Sequence, residues 1–303
     1  MRKGAEWKMK FVTVIHQREE LPGVLNPDET GVYLLREILG DKAPQSLLEY
    51  IQREDENSIG EIRRFIVDPE NIPVPMDQVK LIAPIPKPLR NIICLGMNYR
   101  DHVEELKDAK GKPRPIPKVP VYFGKMALEI VGPGDMVELH EGITREVDYE
   151  VELVAIIGKG GRNIPREKAY EHIFGYSIMN DVTARDLQSL HQQFVRGKSL
   201  DTFTTMGPAI IYRDAVKVPV ELDLSCEVNG EVRQSSNTRN FIFDLSYVIS
   251  DFSQGITLKA GDIIATGTPG GVGKGFNPPK YLKRGDQIEL TIEKIGTLKN
   301  QVG

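Results

Sequence analysis

Glu150 and Glu152 lie two apart in Asp148-Tyr149-Glu150-Val151-Glu152-Leu153-Val154-Ala155-Ile156-Ile157. In an extended strand that spacing turns both carboxylates to one face. The run beyond them is apolar on both faces, the pattern of a strand entering a core. Paired carboxylates at the mouth of a core are costly unless a cation neutralises them, which makes this stretch a candidate metal site and active site. The ordinary alternative is an exposed strand edge with outward acids. A third carboxylate, Asp181, follows the apolar run Ile173-Phe174-Gly175-Tyr176-Ser177-Ile178-Met179, at a strand end or a helix start. Asn180 or Asp181 is also well suited to cap a helix there. If the three carboxylates converge, they form an all-oxygen set without His or Cys. Such a set selects a hard divalent cation, Mg2+ or Mn2+ before Zn2+, and leaves positions open for substrate oxygens.

His102 and Glu105, in Asn98-Tyr99-Arg100-Asp101-His102-Val103-Glu104-Glu105, are three apart and share a face if the segment is helical. A carboxylate beside an imidazole orients it and raises its basicity, as a general base requires; a solvated surface histidine is the alternative. The proline-bearing polar run from Lys107 to Lys118 reads as a mobile loop able to act as a lid. Lys198, in Arg196-Gly197-Lys198-Ser199-Leu200-Asp201-Thr202, could bind a substrate carboxylate or a developing enolate, or be an ordinary exposed lysine. Gly267-Thr268-Pro269-Gly270-Gly271-Val272-Gly273-Lys274-Gly275 resembles a P-loop but has the wrong glycine spacing, lacks Ser or Thr after Lys274, and runs into Asn277-Pro278-Pro279. A tight turn presenting backbone amides and Thr268 to a small anion fits it better, with simple turn geometry as the alternative.

Two kinds of chain must position these groups. Residues 1–80 read as a small N-terminal α/β unit and linker. It has a strand at Phe11–Ile15, helical periodicity from Gly31 to Gln52 interrupted near Gly40, a short helix at Glu61–Ile66, and a proline-rich stretch at Pro69–Pro75, which together with Pro84–Pro88 soon after suits a linker into the second unit. Residues 81–303 read as a β-rich mixed domain. Short runs such as Ile92–Leu95, Val119–Phe123, Val147–Ile157, Ala209–Tyr212, Leu222–Val228, Asp262–Thr266 and Gln287–Ile292 dominate it, with helices near Tyr99–Leu106, Pro165–His172 and Asp244–Gln254. The fold class is therefore α+β.

The chain has 303 residues, 40% of them hydrophobic, enough to bury a sizeable core. A net charge of -4 and the absence of a basic aromatic stripe exclude a global field for nucleic acid or anionic lipid. No stretch approaches the roughly 18 apolar residues of a membrane helix. Cys94 and Cys226 sit in strand-like apolar contexts, read as packed thiols in a reducing cytoplasm. Met9-Lys10-Phe11 would make a natural start, so Met1–Lys8 reads as an upstream extension.

Taken in order, these motifs resemble the fumarylacetoacetate hydrolase family across Pro84 to Gly303. The matching stretches are Gly96–His102, Asp148–Glu152, Asn180–Gln188, Gly197–Thr202 and Gly261–Pro269. The resemblance implies a mixed β-roll catalytic domain, a homodimer, and metal ligation by Glu150, Glu152 and Asp181. It also implies a His102–Glu105 acid–base pair on a closing lid, a catalytic lysine at Lys198, and substrate contacts at Arg185, Gln188 and Thr268. Thr205 and Gly270 depart from the family pattern, and both are expected to border the pocket.

The expected chemistry is Mg2+- or Mn2+-dependent C–C cleavage beside a 2-oxo carboxylate, namely oxaloacetate decarboxylation to pyruvate and CO2, acylpyruvate hydrolysis, or both. Isomerisation of a 2-hydroxymuconate or 2-hydroxyhepta-2,4-diene-1,7-dioate-type diacid is an alternative that needs only proton transfer. A binding or regulatory protein acting through the N-terminal unit is a different class, and the complete set of chemistry-bearing residues argues against it.

Overall fold

The structure is a computed structural model and describes residues 8–105 and 115–303. The proposed extension at Met1–Lys8 falls outside these residues except for Lys8, as does the lid segment except for residues 115–118.

Two strands form the centre. Val151–Ile157 and Ile173–Asp181 are buried at every position and pair antiparallel, with Glu152 opposite Met179. Along the first, Val151, Leu153, Ala155 and Ile157 enter one apolar cluster, while Val154 and Ile156 enter another. The period of two thus feeds two cores from one strand. Eleven strands make up this sheet. Its path runs from Val74–Pro75 through Gly31–Leu34, Glu19–Leu25, Lys10–His16, Thr204–Tyr212, Ile173–Asp181, Val151–Ile157, Ile263–Ala265 and Ile92–Gly96 to Val121–Lys125. Lys80–Ile82 pairs separately with Lys10–His16.

One core lies between this sheet and a five-stranded sheet that contains Asp223–Val228, Gln287–Ile292 and Gly296–Val302. The other is covered by N-terminal helices contributing Leu47, Tyr50, Ile51, Ile59, Ile62 and Ile66. Helix, large sheet and small sheet therefore stack in layers, a mixed α+β architecture. Among the described residues, no helix is long and apolar enough to cross a membrane.

Local chemistry explains several differences from the sequence reading. Gly31–Leu34 is a strand, not the start of a helix. Val32 and Leu34 face one cluster and Tyr33 the other, an alternation hidden inside a pattern that also satisfied helical spacing. The helix expected at Glu61–Ile66 runs from Glu56 to Val67 because Asp55 and Ser58 close a capping box at its start. The proline-rich connector supplies short strands, Val74–Pro75 and Lys80–Ile82, that pair with Gly31–Leu34 and Lys10–His16. The helix near Pro165 is a 3-10 turn over Arg166–His172. Both cysteines are buried free thiols.

Candidate metal centre and active site

The chemistry gathers where the two central strands end. Glu150 stands one residue before Val151–Ile157 and Asp181 is the last residue of Ile173–Asp181; the Asp181 N–H donates to the Glu150 carbonyl at 3.0 Å. The Asn180 side-chain oxygen accepts the Glu150 N–H at 2.9 Å. Neither Asn180 nor Asp181 caps a helix, since the next helix begins at Arg185 after Ala184. Glu150, Glu152 and Asp181 are all buried, which removes the reading of an exposed acidic strand edge, and each offers an oxygen within 4.8 Å of the others.

Cations crowd this triad unevenly. Lys198 Nζ donates to Glu150 Oε2 and to Asp181 Oδ2, both at 2.7 Å. Arg185 Nη1 lies 2.7 Å from Glu150 Oε1, and Arg185 Nε donates to Asp148 Oδ2 at 2.7 Å. Among the described residues no side-chain cation pairs with Glu152; its Oε2 accepts the Gly267 N–H at 2.9 Å. Burial would lift the Glu150 carboxyl, but Lys198 and Arg185 overcome it and hold that group at about 2. For Glu152, burial and then the neighbouring Asp181 and Glu150 all push the carboxyl well above its usual range. Burial works against the Lys198 ammonium, yet Asp181 and Glu150 raise its pKa above the ordinary value, so it stays charged.

Lys125 completes the cluster, and nothing in its sequence context singled it out. It ends the strand Val121–Lys125, has no solvent exposure, and donates to Asp181 Oδ1 at 2.5 Å and to the Val182 carbonyl at 3.1 Å. Burial lowers its pKa, and the Asp181 carboxylate opposes that shift.

Four buried carboxylates, Asp148, Glu150, Glu152 and Asp181, thus face three buried cations, Lys125, Arg185 and Lys198. With all four ionised, one negative charge would lack a partner, and that deficit falls on Glu152, whose raised pKa reflects it. An all-carboxylate donor set with a cation deficit fits a hard divalent ion.

A cavity of about 280 Å³ opens over Glu150 and Glu152, just below the ~300–1,000 Å³ common for ligand pockets. Leu95, Met97, Phe123 and Phe194 give it an apolar lining, while Gln188, Ser189, Gln192 and Lys274 give it a polar one. His102, Arg185, Lys198 and Thr268 also line it. His102 and Lys198 are both buried, so neither is a solvated surface group. His102 Nδ1 lies 3.5 Å from Glu105 Oε2, and neither atom has a hydrogen-bond partner among the described residues. Arg185 Nη2 is likewise buried without one, while Nη1 reaches Gln188 Oε1 at 3.3 Å. The Thr268 hydroxyl donates to the Val151 carbonyl at 2.9 Å and accepts from Gln234 at 2.8 Å. Thr205 and Gly270 do not line the cavity.

The glycine loop presents its amides to the protein's own carboxylates rather than to an open anion pocket. Gly271 N–H donates to Glu105 Oε1 at 3.0 Å, and Gly273 and Lys274 donate to Asp148 at 2.6 and 3.0 Å. Gly271 has φ 98°, and a Cβ there would collide with the Arg233 carbonyl oxygen, so the turn requires glycine. Asp148 accordingly ties the loop to Arg185, a role its place in the Asp148–Glu152 motif did not reveal.

Comparison with known proteins agrees with this arrangement. Residues 91–303 match the family model described as fumarylacetoacetate (FAA) hydrolase C-terminal. The chain is 52% identical over 228 residues to the oxaloacetate tautomerase YisK of Bacillus subtilis, covering 75% of this chain and 74% of that protein. It superimposes with a TM-score of 0.83 on a fumarylacetoacetate hydrolase from Exiguobacterium antarcticum, at 43% identity, covering 97% and 99% of the two chains. A 5-carboxymethyl-2-hydroxymuconate delta-isomerase from Mycobacterium smegmatis gives a TM-score of 0.73 at 30% identity, covering 97% and 98%. The layered sheets, the buried acidic triad and these matches lead to one conclusion: the chain is an enzyme and belongs to the fumarylacetoacetate hydrolase family.

Proposed function

We propose that this enzyme carries short 2-oxo dicarboxylates, oxaloacetate foremost, through an enolate, interconverting the keto and enol forms. Loss of CO2 to give pyruvate, and hydrolysis of acylpyruvates, draw on the same electron flow. The observation that carries the reading is the buried acidic triad, two of whose members, Glu150 and Glu152, line one small cavity with Lys198, whose ammonium Asp181 and Glu150 favour, and Arg185, whose Nη2 has no hydrogen-bond partner among the described residues. The name of the Bacillus subtilis relative supports oxaloacetate as substrate. Glu150, Glu152 and Asp181 would hold Mg2+ or Mn2+, which when bound supplies Lewis-acid polarisation of a 2-oxo carbonyl.

The chain's own groups divide the rest of the work. Asp181 and Glu150 favour the ammonium form of Lys198, which stabilises negative charge developing on the carbonyl oxygen. Arg185 offers Nη2 to a substrate carboxylate. His102, with Glu105 behind it, takes the C3 proton. The C–H electron pair becomes the C2–C3 double bond, the C2–O π pair moves onto the oxygen, and the proton taken by His102 is returned to that oxygen to complete the enol. In decarboxylation the bond to CO2 breaks instead, and its electrons follow the same route. Isomerisation of an unsaturated 2-hydroxy diacid, favoured by the Mycobacterium smegmatis neighbour, uses the same proton transfer. We further propose a cytoplasmic homodimer, and the match beginning at residue 91 supports a catalytic unit over 81–303 behind an N-terminal unit of 1–80.

The test follows enol absorbance and pyruvate release from oxaloacetate and acetylpyruvate, with Mg2+ or Mn2+ and with chelator, after subtraction of the metal-only rate. Enzyme-accelerated tautomerisation should vanish on chelation and in Glu150→Gln. In His102→Gln it should fall by about 10²–10⁴ in kcat. Full turnover by the chelated enzyme would refute the metal's role. Pyruvate release without faster enol exchange would make the enzyme a decarboxylase.

A further inference from the structure

Each carboxylate of the triad has one oxygen already claimed by a donor. Glu150 Oε1 faces Arg185 Nη1, Glu152 Oε2 accepts the Gly267 N–H, and Asp181 Oδ1 accepts from Lys125. Lys198 behaves differently, because it touches the remaining oxygens of Glu150 and Asp181, Oε2 and Oδ2. It also lines the cavity, whereas Lys125 lies wholly inside the protein and does not. An arriving ion can therefore compete with Lys198, but it has no route past Lys125. Asp181 is left with a single oxygen to give.

We propose that Lys125 is a positioning residue that fixes Asp181 as a one-oxygen ligand and so biases the site against Ca2+ and towards Mg2+ or Mn2+. The inference rests on the metal reading of the triad given above. Its physical basis is coordination number. Ca2+ takes six to eight oxygens and commonly gains them by binding a carboxylate through both, whereas Mg2+ keeps an octahedral set and retains waters. A site that can offer only single oxygens gives up what Ca2+ would use and loses nothing for Mg2+. Lys125 also pins the ends of two strands, Val121–Lys125 and Ile173–Asp181, which lie on opposite sides of Val151–Ile157 in the sheet order. A purely structural ion pair would do that too, so ion preference is the readout that separates the two roles.

The experiment is calorimetric titration of the full chain with Mg2+, Mn2+ and Ca2+ separately, for the wild type and for Lys125→Met, with circular dichroism confirming the fold. The ratio of the Ca2+ to the Mg2+ dissociation constant should fall on the order of tenfold in the variant, through tighter Ca2+ binding. Lys125→Arg, which keeps a donor, should retain the wild-type preference. An unchanged ratio in a folded Lys125→Met overturns the proposal while leaving the metal reading intact. If that variant does not fold, a crystal structure of the Mn2+-loaded wild type decides: Asp181 ligating through Oδ2 with Lys125 still on Oδ1 supports the proposal, and ligation through both oxygens overturns it. A wild type that binds none of the three ions refutes the metal reading and this inference together.

Discussion

Replacing Lys198 by Met deletes the one ammonium that bridges Glu150 and Asp181, at 2.7 Å from each, while keeping most of the side-chain volume. Breaking a buried ion pair from one side typically costs about 3–5 kcal/mol, because the partner charge is left desolvated. Unfolding entropy of roughly 2.1 cal/mol/K per residue gives about 0.6 kcal/mol/K for 303 residues, so the unfolding midpoint should drop by about 5–8 °C in chelator. A divalent ion at a hundred times its dissociation constant returns about 2.7 kcal/mol, or roughly 4 °C. In the wild type the ion must first displace the ammonium, and in the variant it need not. Mn2+ should therefore raise the variant's midpoint by more than the wild type's and narrow the gap, while turnover stays depressed for lack of charge beside the substrate oxygen. Thermal unfolding by circular dichroism, in chelator and in excess Mn2+, provides the measurement. Equal midpoints in chelator, or a smaller Mn2+ shift in the variant, would refute the electrostatic account of the triad.

Gly271→Ala forces a side chain into a φ of 98° and against the Arg233 carbonyl, disturbing the amide that binds Glu105. Stability should fall by about 1–3 kcal/mol, and kcat should fall more than KM changes in steady-state kinetics; unaltered kcat would separate Glu105 from turnover. Asp244→Ala removes the cap of Leu245–Phe252, whose Tyr247 N–H is held at 2.8 Å, and denaturant unfolding should register about 1 kcal/mol with turnover unchanged. Burial would raise the Asp244 carboxyl, but hydrogen bonds from Ser246 and Tyr247 hold it below its ordinary value. Its contribution is therefore full above the unfolded pKa of about 4 and is lost as pH falls through the folded one, so the two proteins should converge in acid.

The triad was legible because its spacing is local. Glutamates two apart at a strand's start, and an aspartate closing a nine-residue run that is largely apolar, are patterns present in the sequence itself. That these two strands pair, with Val151 opposite Asn180, is what turns separate patterns into one cluster. Lys125 had no such signal. Tyr122-Phe123-Gly124-Lys125 looks like a strand ending in a solvated lysine, and its partner lies 56 residues away. The strand Gly31–Leu34 escaped notice for another reason: four apolar-rich residues satisfy both periodicities, and only pairing with Glu19–Leu25 decides between them. The glycine loop's sequence points its amides at an outside anion because no sequence rule says that Asp148 and Glu105 claim them first.

The strand Lys10–His16 also carries a practical consequence. It hydrogen-bonds to Thr204–Tyr212, the direct neighbour of the strand that ends in Asp181. Excising the N-terminal residues would bare the backbone of Ile210 and Ile211 along an apolar rim, the kind of open edge that recruits other chains. Anyone trimming this enzyme to its family-matching portion should expect a sticky product unless a replacement strand, or a proline or lysine on that rim, seals it.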